Sequence, residues 1–115
     1  MKKIVLNIAG NSYDAHFGLG FLERVTKSEN ITIKEVFTKI ESDAFFFVPT
    51  LIWHSVNYGL YRANKEEIAK DVILDWLDEI GINSTEVATF LEALGKSIQV
   101  HIPESKEEGK PKAKK

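Results

Sequence analysis

The sequence contains no cysteine, one methionine and three prolines among its 115 residues. Without cysteine there is no disulfide framework, no thiolate nucleophile and no Cys-ligated zinc, and a reducing compartment is the expected setting. An excess of positive charge is also missing: 15 Lys and Arg face 17 Asp and Glu, a net charge of −2. That balance lacks the basic footprint of a nucleic-acid binder. Histidine is scarce, and His16, His54 and His101 each stand alone. No His-x-x-x-His or Glu-x-x-His spacing supplies zinc or di-iron ligands. Gly18-Leu19-Gly20-Phe21 lacks the third glycine of a dinucleotide fingerprint, and no Gly-Lys-Ser/Thr ending marks a phosphate loop. Ser55 beside His54 has no nucleophile-elbow context. These absences point away from catalysis, and no catalytic residue, cofactor or metal is expected.

Long uncharged runs are few. Ile4 to Ala9 is too short for the core of a signal peptide. Ala44 to Tyr61 carries no Lys, Arg, Asp or Glu, and about 18 such residues raise the question of a membrane span. Pro49, Thr50, His54, Ser55, Asn57 and Gly59 interrupt it, each at a cost in hydrocarbon. A buried helix of a soluble domain is the expectation. The hydrophobic share of 43% and charged share of 28% match globular chains. One domain over residues 1–102 is expected, large enough for a single core. Residues 103–115 hold no large apolar side chain and five Lys against three Glu. Such a segment buries too little surface to offset its ordering entropy, so a disordered tail is predicted.

Along the chain, Ile4, Leu6 and Ile8 alternate with polar or smaller residues, as do Tyr13, Ala15 and Phe17. With Gly10-Asn11 as a turn signal between them, a β-hairpin from Lys3 to Phe17 is predicted. Phe21, Leu22 and Val25 then predict a short helix closed by Lys27-Ser28-Glu29-Asn30. Thr32 and Glu35 form a capping box ahead of Ile33, Val36, Phe37 and Ile40. A third, aromatic helix follows, capped by Ser42 or Asp43, with a break near Val48 and a longer segment from Pro49 to Tyr61. Asn64 with Glu67, and Asn83 with Glu86, repeat the capping spacing before two further helices. Gly81 and Gly95 are the expected exits of those helices. Ile98, Val100 and Ile102 alternate, which admits a third strand, although Leu94 and Ile98 also have helical spacing. The fold class expected is α+β, mostly α, with an N-terminal hairpin and four to five helices around one core.

Two features suit protein binding. The aromatic helix is apolar nearly all round, and a small domain cannot cover every side of it. Phe46, Phe47, Trp53 and Tyr61 are therefore candidate contacts, since such rings commonly anchor partners. Glu67, Asp71, Asp75 and Asp78 recur at three or four residues, which places them on one face of the fourth helix. Like charges at that spacing cost roughly 0.2–0.5 kcal/mol per pair, so Asp71, Asp75 and Asp78 are candidate contacts for a basic partner. The competing classes are a helical adaptor or regulatory subunit of a bacterial complex, and a small metal-dependent or acid/base enzyme. The enzyme would use Asp14, His16 and the acidic helix.

In its order of elements the chain resembles the tail assembly chaperones of long-tailed bacteriophages. The residues that carry the likeness are the hairpin IVLNIAGNSYDAHF, the step FGLGFLERV, and Ile40-Glu41-Ser42-Asp43 leading into FFFVPTLIWHSVNYGL. The acidic NKEEIAKDVILDWLDEIG, VATFLEALGKSI and a Lys-rich end complete it. The resemblance implies a non-enzymatic factor of a phage or prophage. It would act in the bacterial host cytoplasm, be absent from the mature virion, and bind the tape-measure protein, with the tail-tube protein as a second partner. It also implies that self-association and a longer frameshifted form occur in such proteins.

Overall fold

The computed structural model describes residues 3–101. They form β1 (Lys3–Ile8), β2 (Asn11–His16), α1 (Leu19–Glu29), α2 (Ile33–Ser42), α3 (Ala44–Arg62), α4 (Lys70–Ile80) and α5 (Thr85–Gln99). The α+β, mostly helical class expected from the sequence is thus present. The tail expected at 103–115 and the strand residue Ile102 lie outside the described residues.

The two strands pair antiparallel, with Ile4 opposite Ala15, Leu6 opposite Tyr13 and Ile8 opposite Asn11. This register turns Leu6, Ile8 and Ala15 into the core and leaves Val5, Asn7, Ser12 and Asp14 outside. The turn sits one residue earlier than expected, at Ala9-Gly10, where both residues have positive φ (53° and 83°). A two-residue hairpin turn of that hand matches the strand twist, and burial of the inner row fixes the register. Ala9 therefore takes the left-handed conformation, and Asn11 serves as a strand residue.

Helix α3 is the axis of the molecule, touching β2, α1, α2 and α4. Phe47, Val48, Leu51, Ile52 and Val56 form its buried stripe at helical spacing. It crosses β2 so closely that a Cβ on Gly59 would stand 2.1 Å from the Asp14 carbonyl oxygen, so only glycine fits there. Phe17, Phe21 and Phe90 continue the core, with Phe17 edge-on to Phe21 at 5.8 Å and tilted against Phe90 at 5.4 Å. Among the described residues no helix is long and apolar enough to cross a membrane.

Helix ends follow local chemistry. Thr32 accepts from the Glu35 amide while the Glu35 carboxylate accepts from the Thr32 amide, the reciprocal capping box expected. Asn64 does not cap α4. It adopts φ 61° and closes α3: the Asn64 amide bonds the Tyr61 carbonyl and the Lys65 amide bonds the Leu60 carbonyl. That is a Schellman end, for which asparagine is suited by its tolerance of left-handed φ. Asn83 likewise yields the cap of α5 to its neighbour Ser84, whose hydroxyl accepts from Val87.

Two further expectations are corrected. Pro49 lies inside a continuous α3 and does not begin a new segment. Its ring removes the bond that Phe45 would accept, but Phe45 is exposed, so water can satisfy that carbonyl. Gly95 does not end α5, and 98–100 is no third strand. The helix runs to Gln99 because Leu94 and Ile98, four residues apart, are both buried on one side. Among the described residues the sheet has two strands.

Candidate protein-binding surface

The residues proposed from sequence for binding separate into distinct environments. Phe47 is only 6% exposed and belongs to the core, whereas Phe46, the preceding residue, is 71% exposed. Successive helical residues point about 100° apart, so three consecutive phenylalanines cannot all face inward. Phe45, not singled out from the sequence, is 64% exposed and packs edge-on against Phe46 at 5.2 Å. Its spacing, three residues before Val48, belongs to the buried stripe. It stays bare because it sits in the first turn of α3, where no other element covers it. Only knowledge of where the neighbouring helices stop would have exposed it.

Trp53 is tied into the fold, whereas Tyr61 is 63% exposed. Trp53 is half-buried and donates its indole N–H to the Ile68 carbonyl at 2.9 Å. Asn57, fully buried, grips the same peptide from both sides: its amide donates to the Ile68 carbonyl at 3.1 Å and its oxygen accepts from the Ile68 amide at 2.9 Å. Lys70 crosses the Trp53 ring and donates to the Thr50 hydroxyl at 2.8 Å. Tyr61 stacks on Tyr58 and lies under the Arg24 guanidinium, 5.5 Å from its centroid, yet stays as accessible as Phe45.

Arg24 also binds Glu67 through two bonds, at 2.8 and 3.3 Å. This hydrogen bonding holds the Glu67 carboxyl below the usual range. Partial burial opposes the shift, while the charges of Arg24 and His54 add to it. Nearby, buried His54 bonds Glu29 of α1 at 3.0 Å. Glu67 is consequently a loop residue tying 63–69 to α1, and is not part of the acidic face of α4. Asp71, Asp75 and Asp78 do share that face, are exposed, and form no ion pair among the described residues. Leu74 lies among them, 39% exposed.

A larger apolar surface lies elsewhere. Helices α1 and α2 and the end of α5 enclose an open groove of about 680 Å³, with Leu19, Leu22, Ile33, Phe37 and Ile98 on its walls. Leu19 is 63% exposed and Ile33 44%. Ile33, Val36, Phe37 and Ile40 form a stripe at helical spacing. In the fold only Val36 of these is buried, and Phe37 and Ile40 are half covered. Short α2 has a single neighbouring layer, so its stripe is wider than the surface available to hide it. Beyond Leu19, a second recess of about 500 Å³ reaches Phe17 and Val100.

Among the described residues no group of three or more His, Asp or Glu side chains stands close enough to share a metal ion. Asp14 pairs with Lys3 at 3.3 Å, and His16 packs edge-on against Tyr58. The described surface offers apolar contact rimmed by charge: a groove at one end, two phenylalanines at a corner, and an acidic helix face. No family model matches the chain, and neither the curated proteins nor the solved structures contain a match to it.

Proposed function

We propose that this chain is a non-enzymatic assembly chaperone of a long phage tail, binding the tape-measure protein in the host cytoplasm and leaving before the virion is complete. The observation that carries the reading is the uncovered apolar surface: the groove around Leu19, Ile33 and Phe37, and the bare pair Phe45 and Phe46. A long helical client with apolar faces would enter such a groove through side chains at helical spacing. The charged surroundings, including the Asp71, Asp75 and Asp78 face, would keep the complex in solution. The order of elements, a hairpin followed by an aromatic helix and an acidic one, supports the likeness to tail assembly chaperones.

Coexpression tests the reading directly. The tape-measure protein encoded in the same genome should gain soluble yield when made with this chain. Exchanging Leu19 and Ile33 for Asp should remove that gain while leaving the thermal transition in place. An unchanged yield with and without the chain would sink the proposal. A gene neighbourhood of regulatory or metabolic genes, with no tail genes, would favour a helical adaptor acting through the same surface.

A further inference from the structure

The hairpin leaves one of its two edges open. A two-residue turn at Ala9-Gly10 closes on a hydrogen-bonded pair, Ile8 with Asn11, and such pairs alternate along an antiparallel ladder. Leu6 with Tyr13 and Ile4 with Ala15 therefore exchange the other ladder bonds, while the peptide groups of Lys3, Val5 and Asn7 point away from β2. By the same alternation Asp14 points away from β1, and its carbonyl meets α3 at Gly59. Helix α3 thus covers the outer edge of β2. The edge of β1 differs: α4 and α5 pack against the strand, yet no hydrogen bond among the described residues reaches the Val5 or Asn7 peptide groups. Val5 is also 60% exposed. Edge strands are commonly blunted by a proline, a bulge or an inward charge. β1 has no proline, its register with β2 skips no residue, and its one charge, Lys3, stands at the end.

We infer that this edge binds a second copy of the chain, β1 against β1 in antiparallel pairing about a two-fold axis at Val5. That register sets Val5 opposite Val5 of the second copy and Lys3 opposite its Asn7. All three outward residues are then used, with about six new backbone bonds. It also keeps the faces in step: Ile4, half-buried in one copy, stands beside Leu6 of the other above a shared helical layer. The side chains match themselves. Two β-branched valines meet at the centre, and no like charges oppose each other along the strand. Beside Ile4 a small recess is walled by Thr89, Glu92, Ala93 and Lys96 of α5. The two-fold turns the neighbouring α5 antiparallel, which brings Glu92 of one copy toward Lys96 of the other. A strand of another protein would meet the same backbone groups, but this matching of charge and of valine on valine favours a second copy. The pairing rests on the hairpin and α5 alone and is independent of the client proposed above.

Standard interfaces use about 20–30 residues a side, so pairing through one short strand is weak and concentration-dependent. In sedimentation equilibrium the full chain should pass from 13.0 kDa toward twice that mass between roughly 10 µM and 1 mM. Over the same range amide exchange at Val5 and Asn7 should slow, because these N–H groups lie outside the intramolecular ladder. Val5→Lys opposes like charges at the axis and should weaken the dimer roughly fivefold or more. Val5→Pro removes the central donor without touching a β1–β2 bond. It should keep the chain monomeric and leave its thermal transition in place. The absence of cysteine allows an independent measurement. Val5→Cys should join two copies through one disulfide under mild oxidation, whereas Ser12→Cys, on the same face of β2, should do so far more slowly. A monomer at 1 mM, a dimer that Val5→Lys and Val5→Pro leave intact, or equal oxidation of the two cysteine variants would each overturn the pairing.

Discussion

The two ends of α3 are built on opposite principles. Toward its C-terminus, Trp53 and Asn57 are engaged, an indole and an amide holding Ile68, while Tyr61 stacks on Tyr58 but stays 63% exposed. Toward its N-terminus, Phe45 and Phe46 project with no covering element. Trp53, which has a polar handle, fastens a loop, while Phe45 and Phe46, which have none and lie beyond the covering elements, stay bare. Aromatic content thus does not mark a binding face by itself. What matters is whether the ring's surroundings consume it, and here Phe45, Phe46, Tyr61 and the α1–α2 groove are the apolar surface left uncovered.

The largest expected effect sharpens this contrast within two adjacent residues. Phe47→Ala should cost about 3–5 kcal/mol of stability in urea titration, through the lost burial and the cavity left behind. Phe46→Ala should fall within about 0.5 kcal/mol, because its ring is already in water. Equal losses would dissolve the distinction between core and corner. Next in size is the fastening of 63–69. Asn57→Ala orphans the Ile68 amide and should cost about 1–3 kcal/mol, whereas Trp53→Phe should cost about 0.5–1.5 kcal/mol, because the Ile68 carbonyl keeps its Asn57 bond. A reversal of that order would mean that the indole, and not the amide, carries the loop.

Asn57 also shows where the sequence stops being legible. Its role depends on a partner eleven residues away whose backbone must be turned toward it, and no local pattern encodes that. The capping box at Thr32 and Glu35 was readable because both halves lie within one turn. The same spacing at Asn64 and Glu67 was misleading: Asn64 is equally good at closing a helix in the left-handed conformation, and Glu67 found Arg24. Alternation named the hairpin correctly, since one side of it faces the core. From Ile98 to Val100 alternation competed with helical spacing, and burial of Leu94 and Ile98 on a single face carried the helix to Gln99. Of the exposed apolar residues, Phe46 was legible as surplus aromatic surface. The groove was not, because Ile33 and Phe37 carry the same stripe that a buried helix would show.

A smaller effect concerns the Arg24–Glu67 link between α1 and the loop. The Glu67 carboxyl is held below its usual value in the fold, so its contribution is present above the unfolded value and fades as pH falls through the folded one. Glu67→Gln should therefore flatten the acid side of the stability profile and leave the neutral-to-alkaline side parallel to the parent. Both partners are partly exposed, so solvent screening limits the difference near neutrality to about 0.5 kcal/mol. Parallel acid limbs for parent and variant would show that the link contributes no proton-coupled stability.

The least effect, and the most discriminating in sign, belongs to α4. Asp71, Asp75 and Asp78 stand four and three residues apart on an exposed face with no neutralising partner among the described residues. Mutual repulsion makes Asp75→Asn a stabilising substitution, by about 0.2–0.5 kcal/mol for each relieved pair. The gain should shrink as salt is raised toward 1 M, where the screening length falls to about 3 Å. The proposed client gives this face a role that would offset the small loss of helix stability. The same substitution should then weaken rescue of the client, most strongly at low salt. A variant that is more stable and equally effective would reduce this face to a solvated one and leave the groove and the phenylalanine corner as the whole of the binding surface.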